Sequence, residues 1–200
     1  MGQNSNGLNA KAGGLADVSA ALINALYNQG ADVHVALPDY RSIFNGHLSP
    51  IVRRELSAIR KSVPDERIHL AQDRAFFYRD YIYSGCEFEN IKVSLAFQRE
   101  VINNIVPRVQ PDLIHCNDWT TGLIPAMARQ LDIPCLFTIH NIHTVKCLLS
   151  EIEDRGIDSA SFWHNLFFEH FPSNYENTRG SIPIDFLTSG VLAAHFVNTV

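Results

Sequence analysis

The sequence predicts an α/β fold with a mainly parallel sheet, and the stretch 111–141 indicates it most clearly. Two short apolar runs, Asp112–Cys116 and Cys135–Ile139, flank a helical pattern there. Neither run alternates polar and apolar residues, as is expected of strands covered on both faces. Strands joined by a helix pair in parallel, so this stretch is a β-α-β unit. The helical positions are Ile124, Met127, Ala128 and Leu131, behind a polar start at Asn117.

A second helix followed by a strand is predicted near the N-terminus. Between residues 15 and 29 apolar residues fall on one stripe, and Gly30 is suited to end the helix. Val33–Leu37 is the strand that follows, closed by Pro38-Asp39. The N-terminal segment therefore supports the same fold class.

The middle of the chain carries weaker signals and one good helix. Apolar positions across Glu89–Val106 form a broad face, and Pro107 is expected to end that helix. The other segments are predicted to be short strands or loops: 51–56, 67–70, 75–78 and 81–83.

The C-terminal third combines short helices with a last strand. We predict helices over Leu148–Ile152, Phe162–Phe171 and Pro183–His195, and a strand over Phe196–Val200. The second helix is rich in aromatic residues, which could stack on a sugar face. Aromatic residues at helical spacing are more often core, and that interpretation is favoured.

Asp118 and His140 follow the two strands of the β-α-β unit. If these strands are neighbours, both side chains emerge at the same edge of the sheet, where open α/β sheets bind ligands. Adjacent strands lie roughly 5 Å apart, so a carboxylate and an imidazole could face one small molecule. The alternative is that Asp118 only supports a helical turn and His140 only closes a loop.

A lysine and two glycines precede the first helix. Backbone N–H groups of Gly13 and Gly14 could approach a phosphate at the helix start, where the dipole favours negative charge, and Lys11 would add a full charge. The same glycines could merely form a tight turn. The motif alone leaves both interpretations open.

Composition narrows the classes of function. The chain is 46% hydrophobic and 18% charged, with a net charge of -5, which suits one globular domain. That charge gives no general attraction to nucleic acid or anionic membranes. No apolar run has the length that a bilayer needs, and no export signal is apparent, so we expect a cytoplasmic protein.

Four cysteines show no paired spacing, and Cys116 and Cys135 fall in predicted buried strands. In a reducing compartment they are expected to act as small hydrophobic residues. A metal site is the alternative, but no tight four-ligand pattern is present. Its candidate ligands would be His115, Cys116, His140, His143 and Cys147.

Four segments, in the same order and at similar separations, resemble the bacterial glycogen and plant starch synthases of glycosyltransferase family 5. They are Lys11-Ala-Gly-Gly-Leu-Ala-Asp-Val, His115-Cys-Asn-Asp-Trp, Phe137-Thr-Ile-His-Asn, and Asp185-Phe-Leu-Thr-Ser-Gly with Val197-Asn-Thr-Val. The resemblance implies a Rossmann-like, doubly wound, mainly parallel sheet that forms the N-terminal half of a GT-B fold. It also implies retaining transfer of glucose from ADP-glucose to an α-1,4-glucan, without a cofactor or metal.

The resemblance assigns roles to individual residues. Lys11, Gly13 and Gly14 match the loop that contacts the phosphates of the nucleotide sugar. Asp118 and His140 match residues at the reaction centre, where they would orient the transferred glucose. Asp17 and Asn141 fall on positions near the substrate cleft.

The sequence also departs from the family pattern. The polar segment 1–10 replaces a buried first strand, and Ile142-His-Thr-Val-Lys-Cys replaces the usual Leu-Ala-Tyr-Gln-Gly run. Nothing corresponds to the second GT-B domain, so residues 1–200 are expected to form a single, incomplete N-terminal domain with negligible turnover by itself. Two alternatives stay open: a noncatalytic carbohydrate- or nucleotide-binding module, and a GT-B enzyme with another sugar donor.

Overall fold

The computed structural model describes residues 18–40, 57, 59, 63–77, 79 and 83–200. The chain divides into two compact units, Met1–Ile82 and Tyr83–Val200. The predicted strand over 51–56 lies outside the described residues, as do positions 81 and 82. The expectation of one incomplete domain stays a prediction.

The first unit contains a parallel strand pair. Helix α1 spans residues 18–28, and Gly30 follows it with a φ of 86°, the left-handed conformation that favours glycine. Strand β1, Val35–Pro38, pairs in parallel with β2, Ile68–Ala71. The first confirms the strand predicted over Val33–Leu37, and the second shows that the segment 67–70, predicted as a strand or a loop, forms a strand.

Helix α2, Arg74–Phe77, occupies a segment that the sequence predicts as strand or loop, so that prediction is wrong. The Asp73 carboxylate accepts a hydrogen bond from the Ala75 backbone N–H at 2.7 Å. This contact satisfies a free donor in the first turn and starts the helix. The turn buries the side chain of Phe76 completely.

The second unit opens with a long helix that does not end at Pro107. Helix α3, Glu87–Glu100, continues through a π-helical turn, Val101–Ile105, into helix α4, Val106–Val109. Pro107 lies in the first turn of α4, directly after the π-helical turn, and the helical backbone continues through it to Val109. The prediction of the helix end was therefore wrong.

Three parallel strands form the sheet of this unit. They are β3, Ile114–Asn117, β4, Cys135–Ile139, and β7, Phe196–Thr199, in the order β3-β4-β7. Helix α5, Ile124–Arg129, connects β3 to β4, which confirms the predicted β-α-β unit. The α/β class with a mainly parallel, Rossmann-like sheet is thus confirmed.

The segment between β4 and β7 contains short elements. Strands β5, Lys146–Cys147, and β6, Ile184–Asp185, form an antiparallel pair. Three helices complete this region: α6, Leu149–Glu153, α7, Tyr175–Thr178, and α8, Phe186–Ala193. The helix predicted from Pro183 starts only at Phe186 because Asp185 caps it by accepting from the Thr188 N–H at 2.8 Å.

The aromatic helix predicted over Phe162–Phe171 is reduced to one short 3-10 turn, Trp163–Asn165. The backbone of the segment instead bonds to the residues around β6: Phe167 O accepts from Asp185 N at 3.2 Å, and Phe168 forms a bridge with Ile184. The aromatic side chains therefore do not share one face. Phe162 is buried, whereas Phe171 is 96% exposed.

Glycines let helix α8 lie directly on the sheet. A Cβ at Gly190 would stand 2.4 Å from Cε2 of Phe137, and a Cβ at Gly122 would stand 2.1 Å from the carbonyl oxygen of Phe186. Helix α5 is buried on all sides, with Ile124 and Ala128 among its inaccessible residues. The two helices cover the face of the sheet that carries Phe137.

Gln98 caps the buried start of helix α5 from the neighbouring helix α3. Its side-chain oxygen accepts hydrogen bonds from the backbone N–H groups of Leu123, at 2.7 Å, and Ile124, at 3.2 Å. Its amide nitrogen donates to Ser94 Oγ at 2.9 Å. Gln98 is fully buried, so water does not compete for these contacts.

We expect Gln98→Met to lower the free energy of unfolding by about 2–4 kcal/mol, because two buried N–H groups lose their acceptor. Urea denaturation of the purified protein measures this change. Gln130→Met is the matched control: Gln130 is exposed, and its substitution should stay within about 0.5 kcal/mol of the parent. Equal stabilities for the two variants would contradict the capping role.

No helix within the described ranges is both long and apolar enough to cross a membrane.

Candidate functional site

Asp118 and His140 lie at the same edge of the sheet, as the sequence predicts. Strands β3 and β4 are parallel neighbours, and Asn117 at the end of β3 pairs with Thr138 in β4. Asp118 and His140 follow these strands at their carboxyl ends. Ligand sites of open α/β sheets form at this edge.

The Asp118 carboxylate holds the loop that follows β4. One oxygen, Oδ1, accepts from the backbone N–H groups of His140, at 2.7 Å, and Asn141, at 3.3 Å. The other oxygen, Oδ2, accepts from the side-chain amide of Asn141 at 2.9 Å. The carboxylate is only 3% exposed. Asp118 therefore does more than support a helical turn, since it connects the ends of two strands.

The backbone of Asp118 adopts a conformation that is costly for any residue with a side chain. Its φ is 55° and its ψ is -177°, close to a region occupied almost only by glycine. Such a residue costs about 1–3 kcal/mol and persists only where its surroundings determine it. This turn directs the carboxylate toward the loop after β4 instead of the helix that follows β3.

The imidazole of His140 contacts the side chain of the residue before Asp118. Nε2 of His140 lies 3.0 Å from Oδ1 of Asn117. Both side chains lie on the same face of the sheet, because His140 is two residues beyond Thr138, the partner of Asn117. The ring is thus fixed at the edge by a hydrogen bond of its own.

The loop after His140 packs against Trp119, the residue that follows Asp118. Oδ1 of Asn141 accepts from the His143 backbone N–H at 2.9 Å, and the His143 ring meets that of Trp119 edge-on, with centroids 5.7 Å apart. Asn141 thus connects the Asp118 carboxylate to His143. Asn141 is the one predicted substrate-binding residue within the described ranges, and it lies with Asp118 and His140.

A row of polar groups runs across the same face of the sheet. Nε2 of His115 lies 2.7 Å from Oγ1 of Thr138, whose hydroxyl donates to Oδ1 of Asn198 on β7. Burial, and to a lesser degree the nearby His140, lower the pKa of His115. This row gives the face a polar character that the apolar strand pattern did not predict.

Sequence reasoning missed two residues of this site, Asn117 and Thr138. The alternation of side chains along β3 could have identified Asn117, which shares a face with His140. Partial burial, followed by the negative charge of Asp118, raises the pKa of the Tyr83 phenol.

Four predicted substrate-binding residues lie outside the described residues: Lys11, Gly13, Gly14 and Asp17. Their assignment stays a prediction.

The proposed metal ligands are not gathered into a site. Among the residues that the structure describes, no group of three or more His, Cys, Asp or Glu side chains is placed to hold a metal ion. Cys116, Cys135 and Cys147 are buried, and Cys86 is exposed. Burial, more than the neighbouring Glu151, raises the pKa of Cys147, as expected of a thiol that serves as a core residue.

The fold and this edge define an α/β domain with a candidate binding site at the carboxyl ends of its parallel strands. A family model described as the starch synthase catalytic domain matches residues 5–200, and the chain belongs to that family.

Curated relatives agree with this membership. A glycogen synthase of Geotalea uraniireducens is 30% identical over 178 residues, which cover 76% of this chain and 37% of that protein. Glycogen synthase 2 of Geobacter sulfurreducens is 34% identical over 179 residues, with the same coverage. A glycogen synthase of Syntrophotalea carbinolica is 28% identical over 216 residues, covering 96% of this chain and 42% of that protein. The chain thus spans about two-fifths of the length of these relatives.

Proposed function

We propose that this chain acts as the N-terminal half of a glycogen synthase. In this proposal the complete enzyme transfers glucose from ADP-glucose to the nonreducing end of an α-1,4-glucan, with retention of configuration. Membership of the starch synthase catalytic domain family supports the reaction class. The observation that carries the proposal is the joining of Asp118, His140 and Asn141 at the carboxyl edge of the sheet.

Asp118 acts in this proposal by fixing the position of His140. Its carboxylate accepts hydrogen bonds from the backbone N–H groups of His140 and Asn141, so the backbone that carries the imidazole cannot move away without breaking charge-assisted hydrogen bonds. A fixed imidazole can orient one sugar hydroxyl during the transfer. Orientation of this kind lowers the activation barrier of the transfer, because the sugar loses its translational and rotational entropy when it binds and not in the reaction step.

The donor diphosphate would be held by the loop before α1. Negative charge develops on the departing ADP as the sugar gains positive charge, and fixed donors near that charge stabilise the transition state. In this proposal Lys11 and the N–H groups of Gly13 and Gly14 supply such donors, and Asp17 belongs to the same set of substrate-binding residues. A second GT-B domain would complete the diphosphate contacts.

The remaining expectations follow from the same proposal. The partners are ADP-glucose, the glucan and the second domain, with neither nucleic acid nor a membrane among them. We propose that the reaction requires no cofactor. ADP-glucose takes part as the donor substrate. In this proposal the enzyme works in the cytoplasm.

We expect Lys11→Ala in the full-length protein to lower kcat/KM for ADP-glucose by about 100-fold, because one charged donor to the diphosphate is lost. Incorporation of labelled glucose into glycogen measures the effect. The control is Lys92→Ala, a lysine on α3 of the second unit, which should retain the parent rate. An unchanged rate and donor affinity for Lys11→Ala would contradict the phosphate assignment.

Comparison of donors tests the proposal itself. The full-length protein should transfer glucose from ADP-glucose faster than from UDP-glucose, and the product should be an α-linkage. Transfer from another nucleotide sugar alone would replace the donor in this proposal. Binding of maltooligosaccharides without any response to nucleotide sugars would instead identify a noncatalytic module.

A further inference from the structure

The backbone of Asn117 is held rigidly at the end of strand β3. Its N–H donates to Oγ1 of Thr121 at 2.8 Å, and the same hydroxyl donates back to the Asn117 carbonyl oxygen at 2.9 Å. Asn117 also pairs with Thr138 of the neighbouring strand. The side chain of Asn117 therefore starts from a fixed point on the sheet.

The oxygen of the Asn117 amide faces His140. Oδ1 lies 3.0 Å from Nε2 of the imidazole. An amide oxygen carries no proton and can only accept, so Nε2 must be the protonated nitrogen of this pair. In a neutral imidazole the other nitrogen, Nδ1, then carries the lone pair.

The second nitrogen of His140 has no hydrogen-bond partner within the described part of the chain. The His140 backbone is meanwhile held by the Asp118 carboxylate at 2.7 Å. One side of the residue is thus fixed through its backbone and the other through Nε2. Only Nδ1 is left to contact a ligand.

We propose that Asn117 is a positioning residue that keeps His140 in the Nε2-protonated form and presents Nδ1 as a hydrogen-bond acceptor. The group that it would accept from is a hydroxyl of the transferred sugar, and this part rests on the proposed function. Two neighbouring groups carry or can change charge: Asp118 at the backbone of His140, and His115, which lies on the same face of the sheet. Tyr83 is a further titratable group, and the charge of Asp118 contributes to the raised pKa of its phenol. None of them accepts a hydrogen bond from Nε2.

Nuclear magnetic resonance of the full-length protein labelled with ¹⁵N-histidine tests the protonation directly. We expect the ring proton of His140 on Nε2, in slow exchange with water, and a His140→Gln variant assigns the signal. The proton should persist in Asn117→Asp, because a carboxylate oxygen also accepts from Nε2. It should be lost to exchange in Asn117→Leu. A ring proton on Nδ1 in the parent protein would overturn the proposal.

Kinetics then separate positioning from folding. Asn117→Leu should lower kcat by about 10- to 100-fold, because the imidazole is no longer oriented, while Asn117→Asp should recover most of that loss. The control Asn104→Leu, at an exposed asparagine on the π-helical turn, should keep the parent kcat. A parent-like kcat for Asn117→Leu would contradict the positioning role. If the protein transfers no sugar at all, the resonance test still decides the protonation of His140.

Discussion

Replacing Asp118 by asparagine is expected to reduce glucosyl transfer by the full-length protein by about 100-fold, because the loop that carries His140 loses its anchor. Asparagine keeps the size of the side chain but offers only one acceptor oxygen. The NH₂ group would face either the backbone donors of His140 and Asn141 or the Asn141 amide. Labelled-glucose incorporation at saturating donor and acceptor measures the loss.

The same substitution should also lower the free energy of unfolding by about 2–4 kcal/mol, since buried N–H groups are left without an acceptor. Rotation of the Asn141 amide cannot compensate without cost, because its oxygen already accepts from the His143 N–H. Asp132→Asn is the matched control. Asp132 also has a positive φ, 54°, but it is exposed, so its variant should match the parent in rate and stability.

A glycine at position 118 separates the carboxylate from the backbone conformation. Asp118→Gly relieves the strain of a φ of 55° but removes all three hydrogen bonds to the loop. We therefore expect it to be as inactive as Asp118→Asn, although less destabilised. Parent-like activity in either variant would show that the loop is held by other contacts.

The part of the site that follows from strand order was predictable from the sequence. The bounds of Cys135–Ile139 match the prediction because an apolar run between turn residues leaves little freedom. Asp118 and His140 follow neighbouring strands, and parallel pairing of those strands is enough to predict that both residues lie at the same edge of the sheet. The partners of Asp118 could not be predicted, since they depend on a positive φ that an aspartate rarely adopts.

Other errors arose where tertiary contacts override local preference. The aromatic segment Phe162–Phe171 has helical spacing, yet its backbone bonds to the residues around β6, such as Phe168 to Ile184. The helical backbone that begins with α3 continues past Pro107 through the π-helical turn Val101–Ile105 and helix α4. The periodicity of apolar residues carries no information about either event.

Gly190→Ala is expected to destabilise the second unit strongly, because the added methyl group clashes with the ring of Phe137. The new Cβ would stand 2.4 and 2.5 Å from two ring atoms of Phe137, and 3.1 Å from Cα of Gly122. Phe137 is fully buried in the central strand β4, so its ring has no free space to enter. We expect a loss of about 3 kcal/mol in the free energy of unfolding, measured by urea denaturation.

This loss is expected even though alanine favours a helix by about 1 kcal/mol over glycine. Gly180→Ala is the control, because nothing lies within 4 Å of its Cβ, and it should be neutral. Phe137→Leu in the Gly190→Ala background should restore part of the stability, since the smaller side chain makes room, and a double-mutant cycle measures that coupling. Phe137 lies in β4, and His140 follows that strand directly. We therefore expect Gly190→Ala to lose transfer activity together with stability, and the second substitution to restore part of both. Equal stability of Gly190→Ala and the parent would show that α8 can move away from the sheet.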